Sequence, residues 1–147
     1  MGNRTEALAE LDAISPGNQQ HPFVLDVRWM ILAEQKQWEA ALDIADKLVS
    51  RAPDLAAGWL HRAYALRRVP HGGLEKAWDA LLPAADKFPK ESTVFYNLSC
   101  YACQMNRMDE ARKWFRRALK AGEKEHIKNM ALADSDLEPM WEEIRQL

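Results

Sequence analysis

The sequence predicts an all-α solenoid of antiparallel helix hairpins, and a recurring alanine is the main observation behind this prediction. The alanine returns after 34, 36 and 34 residues, at Ala7, Ala41, Ala77 and Ala111. Apolar residues follow each alanine four and seven positions later, and these offsets trace one stripe along an α-helix. Repetition at this interval is typical of stacked hairpins, in which each unit buries its apolar face against the next.

The first element, residues 3–20, matches only the second helix of a hairpin. Its stripe runs through Ala7 and Leu11, and the sequence before it is too short to supply a first helix. Either the apolar side of Leu8 and Leu11 is exposed and offers a surface for self-association, or an upstream segment supplies the missing helix. The second alternative is favoured, because terminal repeats usually carry a polar cap.

Three complete hairpins follow, at residues 21–53, 54–89 and 90–123, and the middle one has a turn lengthened by two residues. Pro53 and Pro89 end the later helix of the first two, because proline cannot continue a helix. Each later helix carries the alanine stripe, as Ala41, Ala45 and Leu48, then Ala77, Leu81 and Ala84, then Ala111, Phe115 and Ala118.

The earlier helices share a second pattern, an aromatic residue or leucine followed by residues three, four and seven positions later. Its versions are Leu25, Arg28, Trp29 and Leu32; Trp59, Arg62, Ala63 and Leu66; and Phe95, Leu98, Ser99 and Ala102. With the stripe, this pattern resembles the tetratricopeptide repeat. The resemblance implies a single domain over residues 1–147, a right-handed superhelix of about three and a half repeats with a C-terminal cap. Stretches such as HPFVLDVRW and FYNLSCYACQ are similar to small uncharacterised bacterial tetratricopeptide proteins.

Four residues depart from the repeat pattern. Arg28 and Arg62 stand where leucine is usual, and Trp29 stands where a small residue is usual. We therefore expect the helices of the first complete hairpin to cross at a shifted angle. Pro83 falls inside a helix, where the missing N–H and the clash with the preceding turn predict a kink.

Residues 124–147 predict the C-terminal capping helix. Ser135 and Glu138 have the spacing of a capping box. They precede an apolar stripe of Leu137, Met140, Trp141, Ile144 and Leu147. An apolar face at the end of a solenoid is usually buried against the last repeat, and a helix that docks on a partner is the alternative.

Composition indicates a soluble protein of a reducing compartment, with the cytoplasm as the expected location. The chain has 20 Lys and Arg against 22 Asp and Glu, a formal charge of −2, so no overall field attracts nucleic acid or an anionic membrane. The N-terminal residues lack the apolar core of a signal peptide, and no run of 18 apolar residues occurs. Two cysteines do not suggest a disulfide framework.

The resemblance also implies a binding groove, because the earlier helices of a tetratricopeptide array line its concave face. Carried over residue by residue, the lining comprises Phe23, Asp26, Met30, Leu60, His61, Tyr64, Arg67, Tyr96, Asn97 and Cys100. Its aromatic and apolar character suits a peptide or helix of a partner protein. The carboxylate clamp of chaperone-binding members is not indicated, since only Asn97 matches it, with Arg67 nearby. The expected function is a non-enzymatic adaptor or chaperone-like module.

No residue pattern indicates catalysis, a metal or a cofactor. Cys100 and Cys103 have redox or zinc spacing, but they lie mid-helix, away from the helix start that lowers a thiol pKa, and no second pair completes a zinc site. The four histidines are scattered, and neither a nucleophile with a base at motif spacing nor a phosphate-binding glycine loop occurs. We expect the cysteines to serve packing, and we expect no cofactor and no metal.

An alternative function rests on basic residues between positions 107 and 128. Such a ridge could bind nucleic acid or an acidic partner. A solvated helix face offset by carboxylates such as Asp109 and Glu110 is the interpretation that the sequence favours. The basic residues at its centre are Arg112, Lys113, Arg116, Arg117 and Lys120.

Overall fold

The computed structural model describes the backbone of residues 2–147 and the side chains of residues 6–147. This part of the chain is entirely helical and contains no strand. Its α-helices are α1 (Gly2–Asp12), α2 (Pro22–Glu34), α3 (Trp38–Arg51), α4 (Ala56–Leu66), α5 (Leu74–Lys87), α6 (Ser92–Gln104), α7 (Met108–Ala121), α8 (Lys124–Leu132) and α9 (Trp141–Arg145). Two 3-10 segments lie at Pro16–Asn18 and Ser135–Met140.

The chain divides into two compact units. Unit 1 is Met1–Gly73 and unit 2 is Leu74–Leu147. The division falls between α4 and α5, inside the stretch 54–89 that the sequence pattern assigns to one repeat. The repeat boundaries remain a prediction. The helices within each unit can be compared directly with the helices that the sequence predicts.

In unit 1, α3 packs against both α2 and α4. The alanine stripe of α3 is buried, as predicted: Ala41, Ala45 and Leu48 lie against Leu25 and Trp29 of α2. Small alanines let the helix backbones approach, while the leucines and the indole fill the remaining volume. Burial of each large apolar side chain contributes roughly 1.5–3 kcal/mol before the entropy of ordering is subtracted.

Arg28 occupies a slot that usually holds leucine, and its contacts explain why a charged side chain is tolerated there. Its guanidinium donates to Asp12 and to the side-chain oxygen of Gln19, each at 2.9 Å. Gln19 in turn donates to the backbone carbonyls of Leu11 and Ile14, at 2.6 and 2.8 Å. The arginine thus links α2 by hydrogen bonds to the end of α1 and to the segment that follows it. It does not fill an apolar interface.

In unit 2, α6 packs against α5 and α7. Ser99 of α6 is fully buried and donates its hydroxyl to the carbonyl oxygen of Ala111 at 2.7 Å. A larger residue in the alanine slot would hold the two helices too far apart for this bond. The predicted stripes are buried throughout, as Ala77, Leu81 and Ala84 of α5 and Ala111, Phe115 and Ala118 of α7.

The C-terminal region buries most of its apolar stripe but begins differently from the prediction. Asp134, not Ser135, is the N-cap: its side chain accepts from the backbone N–H of Asp136 at 3.0 Å. The capping-box prediction was therefore wrong, because the helix start lies one residue earlier and opens as a 3-10 segment. Leu137, Met140 and Ile144 are buried within unit 2, Trp141 is half-buried and Leu147 is 47% exposed, so the buried part of the stripe is unavailable for docking on a partner.

A proline lies inside one of the long helices. α5 continues from Leu74 to Lys87 with Pro83 inside it, so the proline does not end this helix. None of the helices in the described part of the chain has the length and apolar character that crossing a bilayer requires.

Candidate functional site

Unit 1 exposes an apolar surface on α2 and α4. Phe23 is 70% exposed, Met30 57% and Tyr64 39%. Phe23 and Met30 are seven residues apart, so they lie on one side of α2 with Asp26 between them. Of the large hydrophobic side chains exposed among residues 6–147, these three are the ones that the sequence assigned to the groove. We call the surface of Phe23, Asp26, Met30, His61 and Tyr64 the α2/α4 face.

A contact between Asp26 and His61 joins the two helices of the α2/α4 face. His61 Nε2 lies 2.6 Å from Asp26 Oδ1, and the imidazole stacks on Trp29 with ring centroids 3.8 Å apart. Burial lowers the pKa of His61, while the hydrogen bond to Asp26 and its charge oppose this effect. A neutral His61 therefore donates Nε2–H to the carboxylate near neutral pH. Trp29, which breaks the repeat pattern, supplies the surface on which His61 rests.

The cation that contacts Tyr64 is Arg68, next to the predicted Arg67. Its guanidinium carbon lies 3.7 Å from the ring centroid of Tyr64 and 5.1 Å from that of Trp38. Arg68 also donates to the backbone carbonyl of Tyr64 at 2.8 Å. Arg67 and Leu60 are both half-buried. The sequence could not distinguish the two arginines, because both lie beyond the last residue of α4, where helical spacing no longer fixes direction.

The groove residues predicted in unit 2 have a different environment. Tyr96 is only 5% exposed, Cys100 is equally buried and Asn97 is half-buried. The hydroxyl of Tyr96 donates to Asp134 Oδ2 at 2.8 Å, so the segment after α8 covers this part of α6. Burial, together with Cys100 and Asp134, raises the pKa of Tyr96. Tyr96 and Cys100 offer almost no contact area to a ligand, contrary to expectation, and we do not include them in the binding face.

Three side chains that could ligate a metal meet beside the Tyr96 hydroxyl. Cys100 Sγ and carboxylate oxygens of Asp134 and Asp136 lie within 4.8 Å of one another. Both oxygens of Asp134 already accept internal hydrogen bonds, Oδ2 from Tyr96 and from Cys100 Sγ, and Oδ1 from the Asp136 N–H. Burial and the nearby carboxylates raise the pKa of the Cys103 thiol. Both cysteines are buried in α6, as the packing interpretation expects.

Part of the basic stretch is paired with carboxylates of unit 2. Arg107 is hydrogen-bonded to Glu75. Arg112 donates to both oxygens of Glu143, at 2.9 to 3.2 Å, and to Asp109 at 3.2 Å. The hydrogen bond from Arg112 lowers the pKa of Glu143. Arg107 and Arg112 therefore carry little uncompensated charge.

Other basic residues of α7 lie over aromatic rings. The guanidinium carbon of Arg117 is 4.3 Å from the ring centroid of Phe95 and 4.8 Å from that of Trp114. The ammonium of Lys113 is 5.0 Å from the Trp114 ring, which is itself 5% exposed. Arg116 and Lys120 are exposed. The rings beneath these cations are thus covered rather than open to a ligand.

Comparison with known proteins defines the class of fold and no more. No family model and no curated protein matches the chain. Solved structures do match, and they confirm an all-helical, tetratricopeptide-like repeat fold.

Three of the matching structures are forms of MamA. A MamA RS-1 ArsTM double mutant is 20% identical over 90% of this chain and 70% of its own, with a TM-score of 0.69. MamA 41-end from Desulfovibrio magneticus RS-1 is 21% identical over 82% of this chain and 67% of its own, also with a TM-score of 0.69. MamA MSR-1 C2 is 18% identical over 84% of this chain and 70% of its own, with a TM-score of 0.66.

Proposed function

We propose that the protein is a non-enzymatic interaction module, and that a peptide or helix of a partner protein binds the α2/α4 face. The observation that carries the proposal is the exposure of Phe23, Met30 and Tyr64 around the Asp26–His61 pair. Exposed apolar residues are common when single, whereas a group of them with polar groups among them is typical of binding surfaces.

The chemistry of the α2/α4 face suits a short amphipathic segment. Phe23 and Met30 stand two helical turns apart, so an apolar side chain of the partner can contact each of them. Tyr64 presents a rigid ring at low entropic cost, and methionine adapts to the shape of its neighbour. The carboxylate of Asp26, between Phe23 and Met30, offers an acceptor, and the guanidinium of Arg68, over the Tyr64 ring, offers a donor.

The Asp26–His61 pair supports positioning rather than catalysis. One face of the imidazole is covered by Trp29, and Nε2 is engaged by Asp26. The His61 side chain is 19% exposed, so the carboxylate and the ring hold α2 and α4 together at the base of the face. We infer that the chain acts by binding a protein and not by transforming a substrate.

The test compares two double variants in quantitative affinity capture. Phe23→Ser with Met30→Ser removes the apolar contacts of the α2/α4 face. Leu82→Ser with Met130→Ser removes exposed apolar side chains elsewhere and serves as the matched control. We expect the first variant to lose the proteins that the wild type retains, and the control to keep them.

A photocrosslinking amino acid then locates the contact. Incorporated in place of Phe23, it should crosslink to the captured protein, whereas incorporation in place of Leu82 should not. Equal retention by both double variants, or crosslinks only from position 82, would refute the assignment. Sedimentation of the purified wild type and of the Phe23→Ser, Met30→Ser variant distinguishes binding of a partner protein from self-association. Self-association through α1 would persist in this variant.

A further inference from the structure

Unit 2 contains a cleft on the side of α6 and α7 that meets the turn before α6. Its volume is about 390 Å³, and its lining is Pro89, Lys90, Phe95, Arg117, Lys120 and Ala121. Three of these six residues are cationic and none is acidic. We call this the Lys90/Arg117/Lys120 cleft, and it is separate from the α2/α4 face of unit 1.

The three cations of the cleft have no carboxylate partner. Among residues 6–147, neither Lys90, Arg117 nor Lys120 forms an ion pair. Arg107 and Arg112, on the same helix or just before it, are paired with Glu75 and Glu143. The cleft therefore brings together three cations that no carboxylate of the described residues neutralises, while Lys113 and Arg116, which also lack such a partner, do not line it.

Aromatic rings hold Arg117 in position within the cleft. Its guanidinium carbon lies above Phe95 at 4.3 Å and near Trp114 at 4.8 Å, and both rings are buried. A guanidinium that lies parallel to a ring keeps its N–H groups pointing outward in its own plane, where they can donate to a carboxylate. Because the planar group is already ordered, little further entropy is lost when it binds.

We propose that the Lys90/Arg117/Lys120 cleft binds an acidic peptide segment of a partner protein. The carboxylates of such a segment complement the three cations, and Arg117 can bind one of them through two parallel hydrogen bonds. The apolar lining from Pro89 and Ala121 accommodates the methylene groups of glutamate or aspartate side chains.

Nucleic acid fits the same surface less well. The lining of the cleft supplies only three cations, and affinity for a phosphate backbone scales with the number of phosphates neutralised. Single-stranded nucleic acid also needs aromatic faces on which bases can stack. Phe95 and Trp114 are buried beneath Arg117, so neither ring is available for stacking.

The test measures binding of a fluorescein-labelled oligoglutamate peptide by anisotropy at low and physiological ionic strength. We expect binding that weakens with salt, and no binding of an oligoglutamine peptide of the same length. The variant Arg117→Gln with Lys120→Gln should weaken oligoglutamate binding about tenfold or more, since a hydrogen bond to a charged group is worth about a factor of ten.

A charge-matched control separates the cleft from the net charge of the protein. Lys47→Gln with Arg51→Gln removes the same charge, one lysine and one arginine, from exposed positions of α3 in unit 1. Its affinity should stay within about twofold of wild type, because exposed charges outside the cleft are screened by salt. Arg117→Lys should bind with intermediate affinity, because it keeps the charge and loses the planar pair of donors. Circular dichroism confirms that each variant is folded.

Three outcomes would overturn the proposal. Equal weakening in the cleft variant and the control would indicate diffuse attraction. Absence of oligoglutamate binding at low ionic strength would show that the cleft does not bind acidic peptides. Tighter binding of a single-stranded oligonucleotide, lost in the cleft variant, would assign the cleft to nucleic acid. None of these outcomes bears on the α2/α4 face, whose variants leave the cleft intact.

Discussion

Replacing Tyr96 with phenylalanine separates a structural role of this residue from a role in binding. The substitution removes one hydroxyl and leaves the ring, which is buried. The lost hydrogen bond, 2.8 Å to Asp134 Oδ2, joins α6 to a segment 38 residues away. Hydrogen bonds to charged groups contribute about 1.5–3 kcal/mol. We place the cost near the lower end, about 1.5 kcal/mol, because Asp134 keeps the donor from the Asp136 backbone and is half-exposed.

Thermal and urea unfolding followed by circular dichroism measure this cost. If unit 2 melts cooperatively, a loss of about 1.5 kcal/mol lowers Tm by about 6–12 °C for a unit of this size. Tyr64→Phe is the matched control, since the Tyr64 hydroxyl has no hydrogen bond within residues 6–147. It should change stability by less than about 0.5 kcal/mol.

A double-mutant cycle with Asp134→Asn then isolates the interaction between the two side chains. We expect a coupling free energy of about 1 kcal/mol between positions 96 and 134. Equal stability of Tyr96→Phe and Tyr64→Phe, or a coupling near zero, would refute the argument that the C-terminal segment is held over α6 by this bond.

The remaining predictions concern pH and packing. Burial lowers the pKa of His61 below its ordinary value of 6.5, so the unfolded chain binds a proton more readily than the native chain. This group therefore reduces the stability of the protein as pH falls through 6.5. His61→Gln should lose less stability than wild type over the same acid range in urea unfolding, and a parallel loss would count against a buried neutral imidazole held by Asp26. Gly122→Ala should destabilise the protein by about 1–3 kcal/mol, because an added Cβ would lie 2.9 Å from Cβ of Ser92, which is fixed to the α6 backbone, as well as 2.6 Å from Cδ1 of Ile127. Gly17→Ala, whose Cβ would meet nothing within 4 Å, should melt within error of wild type, and similar melting of both variants would contradict the packing argument.

The helical fold could be read from the sequence because the relevant signal is local. Positions four and seven residues after each alanine share a helix face whatever surrounds the helix, so the buried stripes of α3, α5 and α7 were predicted correctly. The N-cap of the C-terminal segment was wrongly assigned to Ser135, because local sequence does not single out one capping residue there. Several polar residues in that stretch can cap a helix, and only the backbone geometry selects Asp134.

The candidate site depended on tertiary packing. Phe23, Met30 and Tyr64 are exposed as the resemblance implied, whereas Tyr96, which the resemblance assigned to the same groove, is buried. The difference arises because a segment distant in sequence brings Asp134 onto Tyr96, and helix periodicity contains no information about such a segment.

The sequence by itself therefore determined the helices, their apolar faces and the repeat-like character of the chain. Tertiary structure decided which polar and charged side chains remain available. Arg112 and Arg117 are both arginines of α7, and the sequence does not distinguish them. Glu143, 31 residues away from Arg112, pairs with it, whereas aromatic rings from α6 and α7 lie against Arg117. Charge pairing depends on distances between groups remote in the chain, and those distances exist only once the helices have packed.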